Sequence, residues 1–306
     1  MAMTIRKTLT AAVLAATLTL TACTAGKVET ETGSTLPPSP QETGAPAGPS
    51  DQAPEERAGP TYISSLVSEV VDGLIQPGMG EFEMARAAFD WIVETNTLGE
   101  PLGLDLWRVR QPDDPTPSFL ENRSLSVLLW NTGMCEDYSA ALTLILRGMG
   151  LNALYIPGLT YAADGSGFVN HAWTMVEIDG VWYHLDSQLE QNVTRQGRLR
   201  YRYFLKGDEA MLASHRWGQN LIDTGLLTGA QNEEIARDFL PPPAPQDFPT
   251  PAIHNFQPPP PPDRAAIQAA IAAELTAFEE AQGPLTPLEL NIIPPVFGPW
   301  GFPVGN

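Results

Sequence analysis

The sequence predicts an α+β fold, with helices first and an antiparallel sheet after them. Three observations carry this. Apolar residues recur at helical spacing in successive stretches between Tyr62 and Leu146. Asp179-Gly180 separates two runs, Asn170 to Ile178 and Val181 to Asp186, and Asp-Gly is among the strongest two-residue hairpin signals. The short apolar run Leu151 to Ile156 follows glycine and reads as a further strand.

In the first helix Ile63, Leu66, Val70 and Leu74 share a face. A second, from about Glu81 to Thr95, places Met84, Ala88, Trp91 and Ile92 together. The stretch Asn96 to Phe119 is irregular and rich in Gly, Pro and Asp, and long ordered loops of this kind are often functional. A third helix is expected from about Leu120 to Trp130. A fourth starts at Cys135, carries Tyr138, Ala141, Leu142, Ile145 and Leu146, and stops at Gly148-Met149-Gly150. Tyr161 to Gly167 reads as a polar loop, and Tyr201 to Leu212 as a last strand or helix.

The flanks differ in composition. Arg6 and Lys7 precede an apolar run from Leu9 to Ala22, shorter than the roughly 20 residues that cross a bilayer, so residues 1–22 read as a secretory signal. The run ends Leu20-Thr21-Ala22-Cys23, which resembles a bacterial lipobox; the alternative is an ordinary signal with a chance cysteine. The resemblance implies lipid on Cys23 and a protein anchored to the extracytoplasmic face of the cell membrane. Residues 23–60 hold almost no large apolar side chain and read as a disordered tether. One globular domain is expected over 61–235. Residues 236–262 read as a proline-rich linker, and 263–306 as a helix capped by Asp263, with Ile267, Ile271, Leu275 and Phe278 on one face, then an apolar tail. Dense apolar patterning ends before the prolines, so removal of Pro241 to Asn306 is expected to leave the domain folded.

The chain has 17 basic and 36 acidic residues, a net charge of −19. That argues against nucleic acid or anionic headgroups as electrostatic partners. A monomer is expected.

The two cysteines decide the chemistry. With Cys23 lipidated, Cys135 has no disulfide partner, so it is either a small core residue or a reactive thiol. A thiol at a helix N-terminus feels the partial positive charge there, although Glu136 and Asp137 oppose it. If Asp179-Gly180 is a two-residue turn, Trp173 lies opposite Asp186, which puts His171 and Asp186 on one face a diagonal step apart. Cys135, His171 and Asp186 are then a nucleophile, a base and its orienter.

These residues sit in blocks that resemble a known family. Gly133-Met134-Cys135-Glu136-Asp137-Tyr138-Ser139, Leu146 to Gly150, His171-Ala172-Trp173, and Asp179 to Asp186 look like a bacterial transglutaminase-like domain, and the likeness extends to Tyr203 to Glu209. It covers about 80 to 210. The resemblance implies a papain-like fold with the Cys helix packed on the sheet. It also implies Cys135 as nucleophile, His171 as general base and acid, and Asp186 as orienter. Departures are Asp137 where the family usually has Gly, Ser139 where it has Ala, Thr174 where Asn is common, and Ser187 in place of Pro or Thr. None removes a triad member.

The remaining candidates have plainer alternatives. Trp107 and Trp130 could offer an indole N–H to an oxyanion, with core packing as the alternative. Trp173 and His184 are expected to pack behind the triad, His184 opposite Met175. His215 is expected at the surface or core edge of a polar helical segment, and His254 in the proline tail. His171, His184 and Asp186 could imitate a metal site, but the catalytic assignment leaves no spare ligand, so neither metal nor cofactor is expected. The expected activity is acyl transfer through a Cys135 thioester on a peptide, a protein or a peptidoglycan stem peptide, resolved by water or by an amine. The alternative is a non-catalytic binding module that retains the fold.

Overall fold

The computed structural model describes residues 61–113, 117–162, 164–194, 197–224 and 240–285. The signal, Cys23 and the tether lie outside them, as do 225–239 and the tail from residue 286. Among the described residues no helix is long and apolar enough to cross a membrane.

Four longer helices come first. They are α1 (Tyr62–Leu74), α2 (Glu81–Thr95), α4 (Phe119–Trp130) and α5 (Cys135–Gly148), with the single turn α3 (Trp107–Arg110) in the irregular stretch. Their starts are capped as their sequences suggest. Thr61 accepts the Ser64 N–H, and Ser118 and Glu121 exchange bonds with each other's backbone before α4. Short strands β1 (Thr97–Leu98) and β2 (Thr132–Gly133) pair in parallel and deliver the chain into α5.

The main sheet contains β3 (Ala153–Tyr161), β4 (Phe168–Ile178), β5 (Val181–Leu185) and β7 (His215–Arg216) in the order β5-β4-β3-β7. Strand β3 runs five residues beyond the apolar run that marked it, because Pro157 to Tyr161 continue the ladder with β4. Between β5 and β7 lie α6 (Ser187–Val193), β6 (Arg198–Leu199) and α7 (Asp208–Leu212). The β4–β5 register is the one a two-residue turn dictates, with Ile178 opposite Val181 and Met175 opposite His184. Asp179 and Gly180 both have positive φ, 52° and 78°, as such a turn requires.

The two faces of the sheet carry separate cores. Val176, Ile178 and Leu185 join α5's Leu142, Ile145 and Leu146 and α2's Phe89 and Ile92. Trp173, Met175 and Ile156 point the other way, toward Met211 and Trp217. Helix α5 thus packs on one face, while His171 and Trp173 occupy the other.

The proline-rich stretch read as a linker is bonded along the domain. Ala244 donates to Trp182 O and accepts from Asp208 N, Phe248 N–H reaches Leu205 O, and Phe256 N–H reaches Gly197 O. Phe248 stacks on Phe82 with ring centres 5.1 Å apart, and Lys206 pairs with Asp247. β8 (His254–Asn255) pairs with β6. Prolines lack a donor, so the strap is held through the residues between them. Helix α8 (Arg264–Gln282) follows, with Ile267, Ile271, Leu275 and Phe278 half-buried and Glu274 paired to Arg110 of α3.

Candidate active site

Cys135 is the first residue of α5, and its position is built by the residues around it. Met134 is extended, and its N–H donates to Asp137 at 2.7 Å. Asp137 folds back so closely that a Cβ on Gly133 would lie 2.6 Å from its own Cβ, which explains the glycine. Burial pushes the Asp137 carboxyl up to about 7 against the Arg123 guanidinium and the Met134 N–H. Arg123 Nε stands 2.9 Å from Asp137 Oδ1, an ion pair by distance but too poorly aligned for a hydrogen bond. Cys135 itself is a half-buried free thiol.

Two of the family departures, Ser139 and Thr174, turn out to be bonded to one another. Ser139 Oγ donates at 2.7 Å to Cys135 O and lies 2.9 Å from Ala172 O. Thr174 Oγ1 reaches Ser139 O at 3.2 Å and Thr143 Oγ1 at 3.2 Å. This polar seam joins the Cys135 helix to β4 one residue from His171. Alanine at 139 could not make it.

His171 and Asp186 meet as the register demanded, Nε2 to Oδ2 at 2.6 Å, both buried. One detail differs from a continued ladder. Pairing stops at Thr174–Leu185, and Asp186 turns out of the strand to cap α6, its Oδ1 accepting the Leu189 N–H at 2.9 Å. Its own N–H goes to Tyr203 O at 2.9 Å. Buried Glu190 holds that turn by accepting the Tyr203 and Arg200 N–H groups, a support the sequence did not reveal. The Cys135 thiol stands near enough to His171 to add to what holds its imidazole protonated. With Nε2 committed to Asp186, Nδ1 is the nitrogen left for it. The helix packs on the sheet's opposite face and is tied near its N-terminal end to Ala172, the neighbour of His171.

The electrostatics describe an ion pair. Burial alone would lower His171, but Asp186 and then Cys135 outweigh it and hold the imidazole at about 10. Burial alone would raise Asp186, but His171 and His215 hold it well below the usual carboxylate range.

His215 was expected at the surface of a helical segment. It lies instead on β7, fully buried, with Nε2 3.0 Å from Asp186 Oδ2. The only sequence signal was His215 and Trp217 alternating about Arg216, too short a pattern to separate strand from helix. Trp173 and His184 pack behind the triad as expected, the indole N–H donating to His184 Nδ1 at 2.9 Å, and burial lowers His184. Trp107 packs instead with Ile63 and Leu125, and the Trp130 indole nitrogen lies beside Gly103. Neither shows a contact with the triad. His254 pairs with Glu94 on the surface.

His171, Asp186 and His215 are the group among the described residues with metal-ligand spacing, their donor atoms within 4.8 Å of one another. The set that resembles a metal site therefore contains His215 and not His184. Both Nε2 atoms already sit at hydrogen-bond distance from one carboxylate oxygen, so the three groups satisfy one another directly.

Residues 68–187 match the transglutaminase-like superfamily. This segment is similar to transglutaminase-like domains. It contains Cys135, His171 and Asp186, and it sits in a mixed fold of helices against an antiparallel sheet. No curated protein matches the chain. Solved structures overlap it in part. A candidate cysteine protease from Cytophaga hutchinsonii is 16% identical, covering 41% of this chain and 37% of that one at a TM-score of 0.30. An arylamine N-acetyltransferase from Bacillus cereus, described with a Cys-His-Glu triad, is 15% identical, covering 43% and 50% at 0.30. A TGase is 16% identical, covering 41% and 32% at 0.28. The chain thus spans between about a third and a half of these structures, and overlaps this partial say nothing of activity.

Proposed function

We propose that the transglutaminase-like domain performs acyl transfer on peptide or amide substrates through a thioester on Cys135. The observation that carries this is the buried His171–Asp186 bond at 2.6 Å, with the Cys135 thiol adding to the charge of the same ring. His171, protonated in the resting pair, keeps the thiol's proton on Nδ1 while sulfur attacks the carbonyl, then gives it to the leaving amine. Asp186 holds the ring so that Nδ1 faces the thiol. The Met134 N–H is already used by Asp137, whereas the Cys135 N–H, which no turn of α5 can satisfy, would meet the developing oxyanion. Water or an amine then resolves the thioester, giving hydrolysis or a crosslink. The test incubates the protein with an electrophilic thiol probe and with glutaminyl and stem-peptide amides. Labelling of Cys135 and an acyl mass trapped on it are expected, both absent in Cys135→Ala. A Cys135 that labels no faster than a free thiol and never carries an acyl group would overturn the proposal.

Location belongs to the same proposal. Lipid on Cys23 would hold the domain at the extracytoplasmic face, within reach of envelope peptides, and the lipobox supports this. Cys23→Ala should move the protein from the membrane fraction to the soluble one. A variant that still sediments, beside a wild type lacking acyl mass, would refute the anchor.

A further inference from the structure

Asp186 does not serve one histidine. Its Oδ2 receives Nε2 of His171 at 2.6 Å and Nε2 of His215 at 3.0 Å, while its Oδ1 receives the Leu189 N–H at 2.9 Å. An ionised carboxylate only accepts, so both imidazoles must carry their proton on Nε2. For His171 this leaves Nδ1 as the nitrogen that exchanges a proton with the thiol. For His215 the other nitrogen, Nδ1, has Ser214 Oγ 2.9 Å away. The chain of hydrogen bonds therefore runs Ser214–His215–Asp186–His171, whose ring adjoins Cys135.

The surrounding fold brings the second histidine there. His215 lies opposite Thr160 on β3, and its ring meets the Trp173 ring edge-on with centres 4.9 Å apart. Gly158, the partner of His171 across β3–β4, makes room for this: a Cβ there would lie 2.4 Å from Arg216 O and 2.7 Å from the Trp173 ring. An apolar side chain of similar shape could fill the space beside Trp173. It could not supply a third N–H to the carboxylate.

We infer that His215 is a positioning residue for the reaction proposed above: its Nε2–H pins Asp186 and so fixes the orientation of His171 toward Cys135. Without it Asp186 Oδ2 keeps one donor, and the carboxylate can rotate about its remaining bonds. A buried acceptor that loses one donor also becomes less comfortable as an anion. Ser214 acts one step further out, by holding the tautomer of His215.

The test needs no substrate. Alkylation of Cys135 by iodoacetamide across pH reads how the thiol is activated, and the far-downfield proton resonance of the His171–Asp186 bond reads that contact directly. His215→Phe should keep the near-UV circular dichroism of the wild type, lose or shift the downfield resonance, and slow alkylation at neutral pH by roughly tenfold to a hundredfold, as for a misplaced catalytic group. His215→Gln, which can present an amide N–H near the same place, should recover the resonance and return the rate to within about threefold of wild type. If the Phe variant does not fold, Ser214→Ala carries the test, since it leaves the imidazole buried and removes only its orienting bond. A slower alkylation and a shifted resonance support the role, and unchanged values overturn it. A folded His215→Phe with wild-type rate, pH profile and resonance overturns it too, as does a Gln variant as impaired as Phe. Failure of the parent proposal looks different. There, wild-type Cys135 itself would alkylate no faster than glutathione.

Discussion

The β4–β5 hairpin and the C-terminal strap are both extended segments fixed against the domain, yet they are fixed in opposite ways. The hairpin closes on a two-residue turn with continuous pairing, and its buried side chains specify the register because a slip of one residue would send each of them to the other face. The strap has 240–262 for its length and no continuous ladder. It is held by separate backbone bonds at Ala244, Phe248 and Phe256 and by few side chains. The difference teaches that a periodic segment is placed cooperatively, whereas a proline-rich one is placed contact by contact. Removing one group should be severe in the first and mild in the second.

The largest effect should come from Asp186→Asn. The side chain would keep its place in the buried network, but an amide cannot accept from two histidines and Leu189 as the carboxylate does. Thioester formation should fall by on the order of 10³–10⁴, with the protein still folded. Acyl-enzyme trapping measures the rate and circular dichroism the fold, and a loss under tenfold would break the comparison. The same pair sets a pH window. Asp186 is depressed in the folded protein, so its contribution is complete above the usual 3.8 and is lost on acidification below it. His171 is raised, so its contribution is complete below the usual 6.5 and fades as pH rises through about 10. Thermal melts should therefore lose stability on both sides of that window in the wild type, and more flatly in Asp186→Asn.

Next in size is deletion of Pro241 to Asn306. The patterning of the sequence led to the expectation that the domain stays folded, and the bonds of the strap to Trp182, Leu205 and Gly197 add that it should fold less stably. Loss of the backbone bonds and of Ala244 and Phe248 should cost about 3 kcal/mol, or roughly 6–12 °C in Tm. An unchanged melting temperature would show that the strap rests on the domain without stabilising it. Phe248→Ala sharpens the same point. Its half-buried ring stacks on Phe82 and meets Tyr183 edge-on, so about 1–2 kcal/mol should go, read from denaturant titration. The smallest effect should be Arg110→Ala. The Arg110–Glu274 pair joins α3 to α8, but both side chains are about a third exposed, so less than about 1 kcal/mol is expected.

Much of the site was legible because it depends on local rules. Helical periodicity and a preceding glycine put Cys135 at a helix start, and the Asp-Gly turn with a period of two put His171 and Asp186 on one face. Both inferences need only neighbours along the chain. The bounds of α2 and the start of α5 also followed from periodicity alone. Residues whose roles depend on distant partners were not legible. His215 belongs to a two-residue strand whose placement is decided by β3, by Trp173 and by the absence of a side chain at Gly158. Ser139 and Thr174 looked like unrelated departures until the packing of α5 on β4 joined them. Trp107 and Trp130 had the right chemistry for an oxyanion site, and only packing revealed that one fills a core with Ile63 and the other lies beside Gly103.

By itself, then, the sequence determined the order of helices and strands, the hairpin register and the three residues of the thiol–imidazole–carboxylate chain, since each follows from steric and hydrophobic preferences acting over a few residues. Tertiary structure alone decided that Asp186 leaves its strand to cap α6, that a second histidine shares its oxygen, and that the prolines lie bonded along the domain. Those outcomes depend on which far segments compete for the same buried donors and acceptors. Periodicity along the chain carries no record of that competition.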